Sequence, residues 1–391
     1  MNVLRGLLMN RGFGRTFLAA LCAALLASCG GSDSSSDVPG QPQAKSIGHV
    51  FVLILENEDY DNSFGANPAA PYLATTLPAK GALLQSYYGT GHNSLDNYIS
   101  MISGQGPNLV TQLDCQTYSN FTGSSLGTNG QATGQGCIYP ASVPSLPDQL
   151  SAAGLSWKGY MEDMGNDPSR EAATCGHPAI GSKDGTQVAT ATDQYATRHD
   201  PFMYFHSVID DQASCDSHVV NLDALKDDLN STSTTANYTF ITPSLCHDGH
   251  DSPCANGEPG GLVSINAFLQ EWVPRIIASP AFRKDGLLII TFDESNGLTS
   301  DSSACCGEGP SINSLLPGLT GLGGGKIGAV LLSPFIKPGT VSTTDYNHYS
   351  MLRSVEDIFG LDYLGFAGAS GQAGFGSDVY TGTTPVFPSK H

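Results

Sequence analysis

Three segments far apart in the chain carry side chains suited to holding a divalent cation beside a hydroxyl nucleophile. The apolar run at residues 50–55 ends on Glu56-Asn57, and the run at residues 287–292 ends on Asp293-Glu294. Between them lies HNSLDNYISMISG, where Leu95, Tyr98, Ile99 and Ile102 recur at helical spacing and Gly104 supplies a stop. This pattern predicts a short helix with Ser94 at its N-cap. A serine hydroxyl is a poor nucleophile until something removes its proton, and a cation held by oxygen ligands allows this without a histidine base. A helix N-terminus also presents amides and a positive dipole end to a phosphate. Taken singly, Ser94 reads as an ordinary cap and each acidic pair as a solvated turn. Two such pairs placed directly after strongly apolar runs make the joint reading the better one.

The elements that must position these groups follow from the apolar runs. Residues 50–55, 287–292 and 329–332 are too short for helices and read as strands buried on both faces of a mostly parallel sheet. Leu262, Ile265, Leu269, Trp272 and Ile276 share one helical face, as do Leu352, Val355 and Phe359. Alternation of the two patterns predicts an α/β layered sandwich, its central sheet flanked by helices. Ligands gather beyond the carboxyl ends of such strands, which puts Glu56-Asn57 and Asp293-Glu294 on one rim. The Gly, Ser, Thr and Asn-rich stretches at residues 108–145 and 293–325 are expected to be long loops.

Residues 1–28 read as a leader, with Arg5, Arg11 and Arg15 before an apolar stretch at 17–26. Leu26-Ala27-Ser28-Cys29 resembles a bacterial lipobox, which implies cleavage before Cys29, lipid on its sulfur, and export as a periplasmic or cell-surface lipoprotein. Gly30 points weakly to the outer membrane. An ordinary signal peptide is the alternative. Residues 29–44 are small and polar and read as a tether, leaving residues 45–391 as the catalytic domain.

The formal charge of −19 becomes three units more negative once the leader arginines are removed. Bulk charge therefore argues against nucleic acid or anionic lipid headgroups as partners, and a phosphate must be captured locally by a cation. Much of the acidity serves solubility alone. Of ten cysteines, Cys22 and Cys29 fall in the leader region. The other eight are an even number in an exported chain, which favours disulfides over zinc thiolates. Neighbouring positions suggest Cys115 with Cys137, Cys246 with Cys254, and a vicinal pair at Cys305 and Cys306.

The strings ENEDYDNSFG from Glu56, HNSLDNYISMISGQ from His92, HDPFMYF from His199, ITPSLCHDGHD from Ile241, TFDES from Thr291 and HYSMLRSVEDIFGL from His348 resemble the bacterial phosphoesterase family of secreted acid phosphatases and phospholipases C. That family lies within the alkaline phosphatase superfamily, so the resemblance implies an alkaline-phosphatase-like fold. It implies a metal bound by Glu56, Asn57 and Asp293, and Ser94 as a transiently phosphorylated nucleophile. SLDNYISMISG also looks like the nucleophile helix of nucleotide pyrophosphatases, with Asp96 where a proline is usual. Two-metal relatives carry Asp-His where this chain has Asp293-Glu294, which favours one metal.

His247, Asp248, His250 and His348 are candidates for a second metal or for phosphate, and Asp251 could join them. The alternative for the His-rich loop is a disulfide-tied structural role. His92 and His199 are candidates to bind phosphate oxygens or protonate the leaving alkoxide, although His199 also fits a structural role ahead of Pro201. Tyr160 and Glu162 could line the pocket. Oxygen donors at such a site accept zinc, calcium, manganese or iron.

Gly123-Ser124-Ser125-Leu126-Gly127 matches GxSxG but lacks the strand and helix that a serine-hydrolase elbow needs. No GxxxxGK[ST] loop is present. The expectation is an exported acid phosphatase acting on small phosphate esters. A phospholipase C acting on phospholipid is the alternative, and a non-catalytic surface lipoprotein the third reading.

Overall fold

The computed structural model describes residues 45–297 and 301–390. The leader, the lipobox and the tether lie outside the described residues.

Eight strands form the main sheet: β1 (His49–Leu55), β2 (Ala82–Leu84), β3 (Trp157–Met161), β4 (Val219–Asn221), β5 (Tyr238–Thr242), β6 (Gly286–Phe292), β7 (Ala329–Leu332) and β8 (Thr340–Ser342). Their order is β8-β2-β7-β6-β1-β5-β3-β4. Only β7 runs against the rest, antiparallel to both β6 and β2. Its apolar run encodes burial on both faces but not direction. At the centre, β1 pairs in parallel with β5 and β6, and every residue of β1 and β6 is buried. Such strands need helices on both faces, because neither face tolerates water.

Three helices matter for the site: α1 (Ser94–Ser103), α2 (Gly261–Ala278) and α3 (His348–Phe359). The apolar stripes expected on α2 and α3 face the core, with Ile265, Leu269, Trp272, Ile276, Leu352 and Val355 all buried. All ten residues of α1 are buried, and α1 packs on α3. α1 ends where Gly104 takes a left-handed conformation (φ 65°), which glycine adopts without steric cost.

The stretch at residues 108–145 is not one loop. It holds a hairpin of Thr122–Leu126 with Ala132–Gln135, whose Gly, Ser and Thr residues lack the apolar alternation that marks a strand. The GxSxG match lies in and just after its first strand, followed only by a single 3-10 turn (Thr128–Gly130) and no α-helix, so no nucleophile elbow forms there.

Among the described residues there are four disulfides: Cys115–Cys137, Cys246–Cys254 and Cys305–Cys306 as expected, and Cys175–Cys215. Among the described residues no helix is long and apolar enough to cross a membrane.

Candidate active site

Strand register brings the two acidic pairs together. Leu55 of β1 pairs with Phe292 of β6, so Glu56 and Asp293 emerge side by side at the carboxyl edge of the sheet. The Asp293 amide donates to Leu55 O (2.9 Å), and the Asn57 amide donates to Asp293 Oδ1 (3.1 Å). Glu56, Asp293 and Glu294 are buried, and Asn57 is partly buried.

Ser94 faces this rim. Asn93, not Ser94, occupies the N-cap, with extended backbone (φ −82°, ψ −154°), and Ser94 is the first helical residue. The shift by one position releases the hydroxyl from capping duty. It donates instead to Glu56 Oε2 at 2.9 Å. The loop ahead of the helix is fixed by Asn97, whose Oδ1 accepts from the Thr90 and Gly91 amides and whose Nδ2 donates to Gly91 O and Asn93 O. One helix amide is already engaged, since Leu95 N donates to Asp114 Oδ1 at 3.0 Å.

His199 completes the group. It lies in a short helical turn (Thr197–His199), is buried, and stacks on Tyr98 with ring centroids 5.2 Å apart. Nδ1 lies 3.0 Å from Asp248 Oδ2, while Nε2 points at Glu56 Oε1, 3.4 Å away. Burial pushes the imidazole well below its usual value, helped by the charge of Arg198. Burial thus favours the neutral ring, and a proton on Nδ1 would satisfy the contact with Asp248. Its Nε2 lone pair then faces a carboxylate oxygen. Burial first, then Asp293 and Asp248, raises Glu56 well above the carboxylate range.

Glu56 Oε1, His199 Nε2 and Asp293 Oδ2 are each buried without a hydrogen-bond partner. Donor atoms of Glu56, His199 and Asp248 lie within 4.8 Å of one another. Orphaned acceptors converging in this way are costly unless a cation joins them. The donor set of carboxylates and one imidazole suits a hard or borderline divalent ion.

The remaining expected residues distribute around this cluster. His92 is buried; its Nε2 donates to Asp301 O (3.0 Å), and its Nδ1 lies against Glu294 Oε2. Burial lowers His92 and raises Glu294, so it disfavours the charged form of each. His348 opens α3 with both nitrogens engaged, Nε2 with Asp293 O (2.6 Å) and Nδ1 with the Tyr87 hydroxyl (3.2 Å). Burial lowers it to about 4. Asp248 joins Glu56 directly rather than forming a centre with its sequence neighbours, and its carbonyl accepts from the Glu56 amide at 2.8 Å. His250 pairs with Asp251 and accepts from Arg198 Nη2 (3.0 Å). His247 turns away to Glu162 and Glu258, and Tyr160 donates to Asp228.

Sequence reasoning passed over Arg198, the only buried Lys or Arg among the described residues. Its charge favours the ionised forms of Glu56, Asp248 and Asp114. The available signal was a basic residue directly before His199. Asp96 was seen only as a departure from a helix-entry pattern. In the structure both of its oxygens are buried without partners, and burial followed by Glu294 raises its carboxyl well above the usual range.

The sequence pattern of the Phosphoesterase family matches residues 66–362. The chain belongs to the phosphoesterase family. The matched span contains Ser94, His199, Asp248 and Asp293, and the Ser94–Glu56 hydrogen bond ties it to the strand end just before it. Among characterised proteins, this phosphoesterase-family chain is similar to an acid phosphatase of Aspergillus fumigatus (25% identity, covering 81% of this chain and 55% of that one). It is also similar to a phosphatidylinositol-3-phosphatase of Mycobacterium tuberculosis (24% identity, 90% of this chain and 89% of that one). The chain spans between 55% and 62% of the length of three fungal acid phosphatases it matches. A protein in the alkaline phosphatase superfamily from Vibrio parahaemolyticus superposes at TM-score 0.46 and 12% identity, covering 84% of this chain and 72% of its own.

Proposed function

We propose that this protein is an exported, metal-dependent phosphomonoesterase working through a phosphoserine intermediate on Ser94. The observation that carries this reading is the buried Ser94 hydroxyl donating to Glu56 within a group of orphaned acceptors. Likeness to fungal acid phosphatases supports the reaction class, and four disulfides agree with export.

Glu56, Asn57, Asp293 and His199 would hold the cation, with Asp248 orienting the imidazole. Zinc, calcium, manganese and iron all fit such donors. When bound, the ion supplies positive charge that lowers the proton affinity of the serine hydroxyl and offsets charge on the phosphate oxygens. Glu56 Oε2 accepts the Ser94 proton along the hydrogen bond already formed. Ser94 Oγ attacks phosphorus in line with the leaving oxygen, giving a seryl phosphate and releasing the alcohol. Water then attacks the same phosphorus, freeing inorganic phosphate and restoring Ser94. His92 and Glu294 are placed two residues from the nucleophile and one from Asp293 to donate toward the leaving oxygen.

A phosphate on a lipid is the second reading of substrate. It is favoured by the similarity to the mycobacterial phosphatidylinositol-3-phosphatase over 90% of this chain. The deciding experiment compares p-nitrophenyl phosphate, its bis-ester and a phosphoinositide monophosphate across pH, with and without chelator. Chelator-sensitive turnover of either monoester above the bis-ester is expected. Preferred cleavage of the bis-ester would replace the proposal with a phosphodiesterase of the phospholipase C kind.

A further inference from the structure

A cavity of about 140 Å³ lies beside the loop that leads into α1, outside the Ser94 cluster. Pro107, Pro310, Pro317 and the rings of Tyr349 and Phe366 supply the apolar part of its walls, and Thr90, Ser311, Ser370 and Gln372 supply neutral polar groups. Glu308 also lines it. Its Oε1 accepts from Asn347 Nδ2, and its Oε2 is buried with no hydrogen-bond partner. No Lys, Arg or His lines the cavity, so Glu308 has no basic counter-ion there. An unpartnered buried carboxylate oxygen is costly to keep ionised unless a donor or positive charge reaches it.

The walls decide what kind of cation fits. A divalent metal is held by several oxygen ligands, usually more than one of them anionic, and this cavity offers one carboxylate, its other side-chain oxygens on Thr90, Ser311, Ser370, Gln372 and Tyr349 being neutral. An organic ammonium needs a single anion and gains from aromatic neighbours. The volume is several times that of one water, which takes about 30 Å³ in the liquid. We propose that this cavity is a binding site for a small organic ammonium group, with Glu308 as its counter-ion. Thr90 lines the cavity while its amide and hydroxyl engage Asn97 Oδ1 at 2.8 and 3.2 Å, so one wall is continuous with the loop that orients the nucleophile helix. The ammonium can thus belong to a free amine or to the organic end of a phosphate ester at Ser94.

The test uses residues 45–391, whose sheet and core close within themselves. Ethanolamine and choline are titrated by calorimetry at pH 8, above the value of about 7 to which burial raises Glu308, with neutral 1-propanol as control. Saturable binding of the ammonium probes alone is expected, weakened at least tenfold by Glu308→Gln and by Ala369→Phe, which fills the cavity from its rim. Turnover of p-nitrophenyl phosphate and the melting temperature should stay near wild type in both variants. Absence of saturable binding overturns the proposal, as does equal affinity in a folded Ala369→Phe variant. A second arm, which rests on the phosphoesterase reading as the titration does not, uses O-phosphoethanolamine as substrate. A KM raised in Glu308→Gln for this ester alone assigns the ammonium to the substrate, whereas an unchanged KM with binding retained in wild type assigns it to a free amine.

Discussion

Ser94 and Glu56 lie 38 residues apart in sequence and meet through a 2.9 Å hydrogen bond in which the serine hydroxyl donates to Glu56 Oε2. The bond joins the first residue of a helix to the residue that follows a central strand. It gives the hydroxyl a fixed direction, and in the proposed mechanism Glu56 accepts its proton. Ser94→Ala is expected to lower kcat for p-nitrophenyl phosphate by more than about 10³-fold, because no other hydroxyl takes its place. Glu56→Gln keeps a hydrogen-bond acceptor but loses the charge, and should cost roughly 10²-fold or more. Steady-state kinetics beside thermal unfolding would check both. Wild-type kcat in folded Ser94→Ala would remove Ser94 from the mechanism.

Glu56, Asp248 and Asp293 are buried together; burial raises all three carboxyls, and neighbouring carboxylates raise Glu56 and Asp248 further, whereas hydrogen bonds partly offset the rise at Asp293. A cation that binds only the folded chain stabilises it, by about 2.7 kcal/mol at a hundredfold excess over Kd. Adding zinc, manganese, calcium or iron singly to chelated protein should therefore raise the melting temperature by several degrees with one of them. Asp293→Asn should abolish that shift, yet leave the metal-free variant no less stable than metal-free wild type, since it removes a buried charge. A metal-dependent shift that survives Asp293→Asn would place the ion elsewhere.

Away from the site, Glu356 on α3 is fully buried, with Oε1 accepting from the Leu364 amide (2.8 Å). Burial, only partly offset by that bond, raises its carboxyl from 4.5 to about 9. The sign follows from proton counting. Below 4.5 both folded and unfolded chains carry the proton; between 4.5 and about 9 only the folded chain does, so rising pH favours unfolding. The slope from this one group is at most about 1.4 kcal/mol per pH unit. Glu356→Gln should flatten the loss of stability between pH 6 and pH 9, measured by denaturant unfolding. Parallel curves for variant and wild type would show that Glu356 does not hold its proton.

The disulfides close loops of different length, 40 residues for Cys175–Cys215 and 8 for Cys246–Cys254. On chain-entropy grounds their removal as paired serines should cost about 4 and about 2.5 kcal/mol respectively. Denaturant midpoints at constant slope would measure this. The reverse ranking would mean that the short loop matters through its native contacts, as the bond from Glu56 N to Asp248 O between its neighbours suggests.

What could be read from sequence was what a short window encodes. Residues 50–55 and 287–292 announced buried strands because both faces are apolar, and strand register then placed Glu56 beside Asp293. The stripes on α2 and α3 and the pairing of Cys115 with Cys137 were legible for similar local reasons. The direction of β7 was not, because an apolar run carries no polarity. Ser94 fell one residue from its expected place because Asn93, Asn97 and Asp114 together satisfy the helix entry, a solution spread over 22 residues. The union of Glu56, His199 and Asp248 was hidden more deeply. It comes from three chain segments with no fixed spacing, and only the fold supplies their distances.

His199 therefore provides the sharpest test of the site. In sequence it reads equally as a phosphate binder, a proton donor to the leaving alkoxide, or a structural residue ahead of Pro201. The structure gives its Nδ1 to Asp248 and turns its Nε2 to Glu56 Oε1 at 3.4 Å, a direction suited to a cation between them. A proton donor would matter most for poor leaving groups, since p-nitrophenolate leaves without help. A ligand would matter equally for all, because every substrate needs the same ion. His199→Ala is accordingly expected to lower kcat/KM by a similar factor for p-nitrophenyl phosphate and for an alkyl phosphate, and to lose the metal-dependent rise in melting temperature. A loss confined to the alkyl ester, with the metal shift intact, would instead make His199 the general acid and leave His92 and Glu294 without that role.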